Sequence, residues 1–456
     1  MEWDDVIYLS LLIFTIVFGH YFRNLHDEVL KKRVSTTIGF AIVLLVSGKH
    51  ALHPVICVFI NSYIITRLDK RFCHACSFCF TFAYLIFFRT TAYVGIPYAP
   101  SHTNMIQMVL TLKLIGLAFE VHDSHKEAGE NPSQKGKKTI DPNILDILHY
   151  SFCYVGVLTG PYYTYKTYCD YFSKGYERFA PCESETLKKL KYIPLYMVIF
   201  LVSSYYYPIQ YADSAEFHSE RSFWYRLFYI IPVFITFRMR IYIGLILSEC
   251  ACIMAGLGAY PADAETKPGM GPTKNDYQMC QLSQEELKKI DYDFNTVKNL
   301  DIWHTELDPT VRNSIRYWNM CVQYWMAFVV YRRFPYKAFR TAATFAVSAI
   351  WHGIYAGYFL CLGVVPFYLS TEDIWLGFIQ GKAVGSMKNV VNLFLWFVRT
   401  QAFSYMGIAF SLLTMERGLK YYGSVYYVYH LTTIIALVSG VILQKLTRKR
   451  KYKTDS

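Results

Sequence analysis

The chain has 456 residues, of which 54% are hydrophobic and only 18% charged, and 46 Lys and Arg against 34 Asp and Glu give a formal net charge of +12. An average soluble chain carries about 25% charged residues, so intrinsic disorder, a coiled coil and a small disulfide scaffold are excluded. A nucleic-acid binder is excluded too, because the basic residues are spread thinly between apolar runs instead of forming one face. The economical expectation is a single polytopic membrane domain covering residues 1–456.

A spanning helix needs about 20 mostly apolar residues. Runs that reach or approach this length occur at about 6–22, 36–47, 50–66, 76–96, 104–121, 144–160, 190–208 and 222–258. The last is long enough for two spans, or for one span and a re-entrant piece. The first lacks a cationic leader and a small-residue cleavage site, so it reads as a retained span. A polar stretch at about 261–308 follows, rich in Gly, Pro, Lys, Asp and Gln, in which Ser283 and Glu286 fit a capping box. It reads as a solvated connecting loop. Further apolar runs at about 313–331, 338–352, 354–370, 390–413 and 421–444 complete the set. The expected fold class is all-α, a transmembrane helical bundle of about 11 spans.

Charge orients the spans, because short cytosolic loops are enriched in Lys and Arg. The acidic N-terminus is expected in the lumen. Lys31 to Arg33, Arg67 to Arg71, the Lys-rich loop at about 126–138, Arg332 to Lys337 and a basic tail at about 445–456 are expected in the cytosol. No internal repeat is visible, which disfavours transporter folds built from duplicated halves. Cys73, Cys76 and Cys79 lie near His74, but no second ligand pair accompanies them, so no metal site is expected.

Charged side chains at the centre of a spanning helix cost on the order of 2.5–3.5 kcal/mol by insertion scales, which makes each one a functional candidate. Those standing out within the apolar runs are Arg238, Arg240, Glu249, Asn319, His352 and His430. His430 reads as a hydrogen-bonded core histidine. Arg238 and Arg240 either pair with Glu249 or, together with Arg316, recognise anionic groups, since Arg can engage phosphate through two parallel hydrogen bonds. Asn319 and His352 lie 14 and 15 residues from the ends of the basic turn between Arg333 and Lys337. At about 1.5 Å per residue both sit roughly 21–23 Å from that turn, so an antiparallel helix pair would bring them to one depth. Histidine can take a proton from an alcohol and return it. A carboxamide can orient a substrate or donate to a developing oxyanion. Acyl transfer from a thioester to a hydroxyl fits both roles and needs no protein nucleophile.

The segment Trp351-His352-Gly353 to Gly357-Tyr358 matches the pattern Trp-His-Gly-x-x-x-Gly-Tyr in full. With Arg316-Tyr317-Trp318-Asn319, Phe152 to Pro161, Tyr229 to Arg240 and Gly256 to Pro261, it resembles the membrane-bound O-acyltransferase family, in particular its lysophospholipid-acylating branch. The resemblance implies a helical bundle with a catalytic chamber buried in the membrane. It places the family's histidine on His352 and its asparagine on Asn319, with Trp351 beside the substrates. It further implies residence in the endoplasmic reticulum and a reaction without a cofactor. In that reaction acyl-CoA donates a polyunsaturated chain, arachidonoyl, to the sn-2 hydroxyl of lysophosphatidylinositol. Relatives acting on choline or serine lysolipids carry a Lys-Tyr-type segment where this chain has Arg238-Met239-Arg240-Ile241-Tyr242, which favours the inositol branch. The rivals are a different hydroxyl acceptor on the same fold and a non-enzymatic transporter. A soluble-type glycerolipid acyltransferase is disfavoured, since no His is followed five positions later by Asp.

Overall fold

Backbone polar groups have no water to bond inside a bilayer, and a helix satisfies them within one segment. The computed structural model, which describes residues 3–130, 139–274, 284–379 and 385–454, follows that rule. Among the described residues eight helices are long and apolar enough to cross a membrane. They cover Asp5–Phe22, Glu28–Arg67, Cys73–Val94, Ser101–Glu130, Cys182–Ala212, Phe223–Ala255, Ala356–Ile379 and Val428–Thr447. The protein is therefore a multi-pass, all-α membrane protein. The other expected runs fall short for visible reasons. Residues 313–331 divide into Val311–Arg316 and Met320–Met326 with a terminal π turn, and Arg340–His352 has only 13 residues. The helix Ser386–Leu412 has the length, but Lys388, Arg399 and Gln401 make it more polar.

Three expectations change in detail. The run at 222–258 is neither two spans nor a re-entrant piece. It is one helix, Phe223–Ala255, of 33 residues, and at about 1.5 Å per residue it extends roughly 50 Å. The run at 421–444 is broken between Met415–Ser424 and Val428–Thr454, where Tyr426 and Tyr427 adopt positive φ of 53° and 50°. The run at 144–160 begins as the short helix Ile144–Ser151, capped reciprocally by Asn143 and Asp146, and then leaves helical geometry. Gly156 and Gly160 follow at φ of 81° and 90°, a backbone that helices do not use.

That non-helical stretch is buried, and its backbone is satisfied by neighbours. Tyr154 N donates to the Ser35 carbonyl (3.2 Å), Tyr163 Oη to the Val155 carbonyl (2.7 Å) and Tyr150 Oη to the Tyr163 carbonyl (2.6 Å). Gly39 makes this docking possible, because a Cβ there would stand 1.9 Å from the Phe152 carbonyl oxygen.

Within the described residues the chain forms two compact units. The first comprises Met1–Pro194, Ile243–Leu300 and Asn319–Arg333, and the second Leu195–Tyr242, Asp301–Trp318 and Phe334–Ser456. In the first unit Cys73–Thr90 and Leu52–Arg67 pack on Ser101–Glu130, a helix buried along most of its length. Lys31 and Glu177 form a buried ion pair at 2.6 Å beside the Tyr171 ring. The described part of the polar stretch up to Leu300, expected as a loop, belongs to this unit: Tyr260–Pro261 pairs antiparallel with Tyr292–Asp293, and Thr296, Val297 and Asn299 are buried. Its expected cap at Ser283 lies outside the described residues. In the second unit Ala356–Ile379 packs on Arg340–His352, Ser386–Leu412 and Val428–Thr454. A core that includes Tyr229, Val365, Tyr405 and Tyr421 fills the space between them. His430 is held as a core histidine, its Nδ1 2.9 Å from Tyr405 Oη.

The Gly39 contact leaves no room for a methyl group, so Gly39→Ala should lower stability by about 1–3 kcal/mol. Thermal unfolding of the detergent-solubilised protein measures it, and a wild-type midpoint would show that the stretch after Ser151 is not docked there.

Candidate active site

In the second unit the Ala-rich helix Arg340–His352 ends on its histidine. Gly353 follows in extended geometry, with its N–H donating to the Ala349 carbonyl at 3.0 Å. A Cβ on Gly353 would stand 2.4 Å from the Tyr358 ring. Four residues on, Gly357 N donates to the Leu413 carbonyl (2.6 Å), and a Cβ there would meet the Ala409 carbonyl oxygen at 2.2 Å. Both glycines of the motif thus mark close approaches that fix the histidine against the helix Ser386–Leu412. The half-buried imidazole meets Trp351, Phe410 and Tyr358, with ring centroids at 4.9, 5.0 and 6.1 Å. Phe410 also touches Tyr358 (4.5 Å) and Phe237 (5.4 Å). Trp351 is buried beside the histidine. An imidazole in an aromatic wall is partly shielded from bulk water.

Asn319 belongs to the first unit and sits where the helical run breaks. Its φ and ψ are 49° and 52°, a left-handed conformation that Asn tolerates better than most residues. It occupies the cap position of Met320–Met326, but its side chain makes no capping bond. Asn299 does that work: its carbonyl accepts from Met320 N (2.7 Å) and its Oδ1 from Cys321 N (3.3 Å). The Asn319 Oδ1 is buried without a hydrogen-bond partner among the described residues. An unmet buried polar atom costs on the order of 1–3 kcal/mol, and this one is an acceptor, open to a hydrogen-bond donor on a ligand.

Glu249 supports this arrangement. Its carboxylate meets Lys189 and two backbone amides in the first unit. Its Oε1 accepts from Asn299 N (2.7 Å) and Leu300 N (2.9 Å), and its Oε2 pairs with Lys189 Nζ (2.7 Å). It is 1% exposed. A helix-borne carboxylate thus clamps the strand of chain that caps the Asn319 turn.

The three arginines do not share one environment. Arg240 and Arg316 are exposed, the latter with its guanidinium 6.0 Å from the Tyr317 ring. Arg238 is buried and forks onto Glu306 through Nε (2.9 Å) and Nη2 (3.3 Å), while Tyr242 Oη donates to the same carboxylate (2.6 Å). The helix Ile302–Leu307 carries Glu306, whose carbonyl accepts from Trp396 Nε1 (2.8 Å) and from Arg399. Arg399 and Lys113 were passed over in the sequence, although each is a cation within an apolar run and the same cost argument selects them. Lys113 bonds the Tyr150 carbonyl (3.3 Å) and Tyr163 Oη (3.1 Å) in the first unit.

Residues 55–415 match the model of the membrane-bound O-acyltransferase family. The chain is 40% identical to the membrane-bound acylglycerophosphatidylinositol O-acyltransferase frj of Drosophila melanogaster, over 99% of this chain and 94% of that protein. It is 35% identical to the corresponding mboat7 enzyme of Xenopus laevis, over 100% of this chain and 97% of the relative. Against MBOAT7 of Homo sapiens the identity is 34%, over 97% and 94%.

Removing Glu249 leaves the buried Asn299 and Leu300 amides without their acceptor, at roughly 1–3 kcal/mol each. Glu249→Ala should therefore lower both stability and turnover, and thermal unfolding with a paired rate measurement tests it. An unchanged unfolding midpoint would remove Glu249 from the support of Asn319.

Proposed function

The chain belongs to the membrane-bound O-acyltransferase family, and from that premise we propose that it acylates the sn-2 hydroxyl of lysophosphatidylinositol, taking a polyunsaturated acyl group, arachidonoyl, from acyl-CoA in the endoplasmic reticulum membrane. The observation that carries this reading is the full-length likeness to relatives whose names state an acylglycerophosphatidylinositol O-acyltransferase activity.

His352 acts as the general base. It takes the proton from the sn-2 hydroxyl as that oxygen attacks the thioester carbonyl. The carbonyl oxygen gains negative charge, and the Asn319 Nδ2 amide donates to it, while Oδ1 can only accept. Collapse of the tetrahedral intermediate breaks the carbon–sulfur bond, and the imidazolium returns its proton to the departing thiolate. The products are a diacyl phospholipid and coenzyme A. A thioester is reactive enough that no acyl-enzyme is needed. The aromatic wall around His352 supports the role by limiting water, which would otherwise compete for the thioester.

Microsomes expressing the chain, assayed with several lysolipids crossed against several acyl-CoA donors, test the reading. The expected outcome is preferred transfer of arachidonoyl to lysophosphatidylinositol. Preference for a choline or serine lysolipid would reassign the acceptor. His352→Ala should keep membrane abundance and lose at least about 100-fold in turnover, the lower range for a general base; near-normal turnover would exclude the base role. Asn319→Ala should lower turnover more than abundance, whereas loss of abundance alone would make it a structural residue.

A further inference from the structure

Two helices of the second unit each bring an arginine into its interior. Arg238 lies near the middle of Phe223–Ala255, and Arg399 near the middle of Ser386–Leu412. They are 3% and 2% exposed. Both converge on Glu306, but not equivalently. Arg238 forks onto its carboxylate. Arg399 donates only to carbonyls, Nη1 to Thr305 (3.3 Å) and Nη2 to Glu306. Among the described residues Arg399 forms no ion pair. Asp308 acts on Arg399 only through its charge, so among the described residues one carboxylate, that of Glu306, is bonded to the two-guanidinium cluster.

Its donors are not used up. Arg238 Nη1 and Arg399 Nε are buried without a hydrogen-bond partner among the described residues. A buried charge without a counter-ion is destabilising unless something else supplies one. A purely structural pair has no need of the second guanidinium. What the cluster lacks is an anion with several acceptor oxygens, the group that arginine forks bind best.

We infer that Arg238 and Arg399 form the site for the phosphodiester of the acceptor lipid, with Glu306 as the internal counter-ion that yields Arg238 when the lipid arrives. This deepens the proposed function and rests on it. A phosphate could also come from coenzyme A, but the surroundings favour the lipid. The Arg238 guanidinium lies over the Phe234 ring (5.0 Å), which stacks on Phe237 (5.7 Å). Phe237 meets Phe410 (5.4 Å), and Phe410 meets His352 (5.0 Å). The arginine cluster thus adjoins the aromatic wall of the base. In a lysophospholipid the phosphate is only a few bonds from the sn-2 hydroxyl, so an anchor for it must lie near the base. The phosphates of coenzyme A are separated from the thioester by the long pantetheine arm.

Initial rates of purified wild type, Arg238→Gln, Arg399→Gln and Glu306→Gln, with each substrate varied in turn, test the inference. Both arginine variants should raise the KM for lysophosphatidylinositol roughly tenfold or more, as expected for losing a charged hydrogen bond, and should leave the acyl-CoA KM nearly unmoved. Glu306→Gln should lower the acceptor KM, because it removes the competing carboxylate. A structural pair would instead make Glu306→Gln and Arg238→Gln equally harmful, without an acceptor-specific change in KM. A rise confined to the acyl-CoA KM would move the site to coenzyme A. Each of these results overturns the inference.

Should an arginine variant fail to fold, thermal protection of the wild type decides. Lysophosphatidylinositol should raise the unfolding midpoint more than a monoacylglycerol of the same chain, and Glu306→Gln should widen that gap. Equal protection by the two lipids overturns the site. A wild type that acylates no lysophospholipid but shows the phosphate-dependent protection would sink the proposed activity and leave the anion site standing.

Discussion

A polar group taken out of water inside a hydrocarbon layer must find a partner within the protein, and the placement of the candidate catalytic residues follows from how this chain meets that demand. The non-helical stretch after Ser151 is tolerated because Ser35, Tyr150 and Tyr163 take up its backbone groups. Glu249 is tolerated because Lys189 and two backbone amides surround it. Those same amides hold Asn299, and Asn299 caps the helix that Asn319 would otherwise cap. The Asn319 Oδ1 is left without a partner among the described residues. Satisfying one buried carboxylate thus prepares a second polar group for a ligand.

The second unit solves the same problem around its histidine with rings and glycines. Gly353 and Gly357 let Tyr358 and the helix Ser386–Leu412 approach closely enough to wall the imidazole. Phe410 joins that wall to Phe237, one residue before the buried Arg238. A histidine in an aromatic wall and a nearby reserve of positive charge suit the proposed transfer between a thioester and an anionic alcohol. None of them is a protein nucleophile, in keeping with direct transfer between the two substrates.

Much of this was legible in the sequence, because apolar runs of membrane length can bury their backbones only as helices. The motif around His352 and the polar interruption at Asn319 stood out by the same reasoning. What was not legible depends on contacts between distant segments. The run at 144–160 has the apolarity of a span, but after Ser151 it is a packed coil with positive-φ glycines at Gly156 and Gly160, some of whose partners lie over 100 residues away, at Ser35 and Gly39. Asn319 was placed within a helix, whereas its left-handed backbone ends one and starts another. Glu249 offered itself as the partner of arginines on its own helix, yet its partners come from Lys189 and the polar stretch before Leu300. Arg399 went unnoticed although its mid-run position was visible, and its meeting with Arg238 at Glu306 could be read only from the fold.

The central claim is that one imidazole and one carboxamide serve the same reacting pair of atoms. A density map of the chain with lysophosphatidylinositol and a non-transferable acyl-CoA analogue tests it most directly. The account predicts the sn-2 hydroxyl within about 3 Å of a His352 ring nitrogen, the reach of a general base, and the thioester carbonyl oxygen beside the Asn319 carboxamide. A lipid hydroxyl bound away from His352, or a carbonyl oxygen held by other groups, would contradict it.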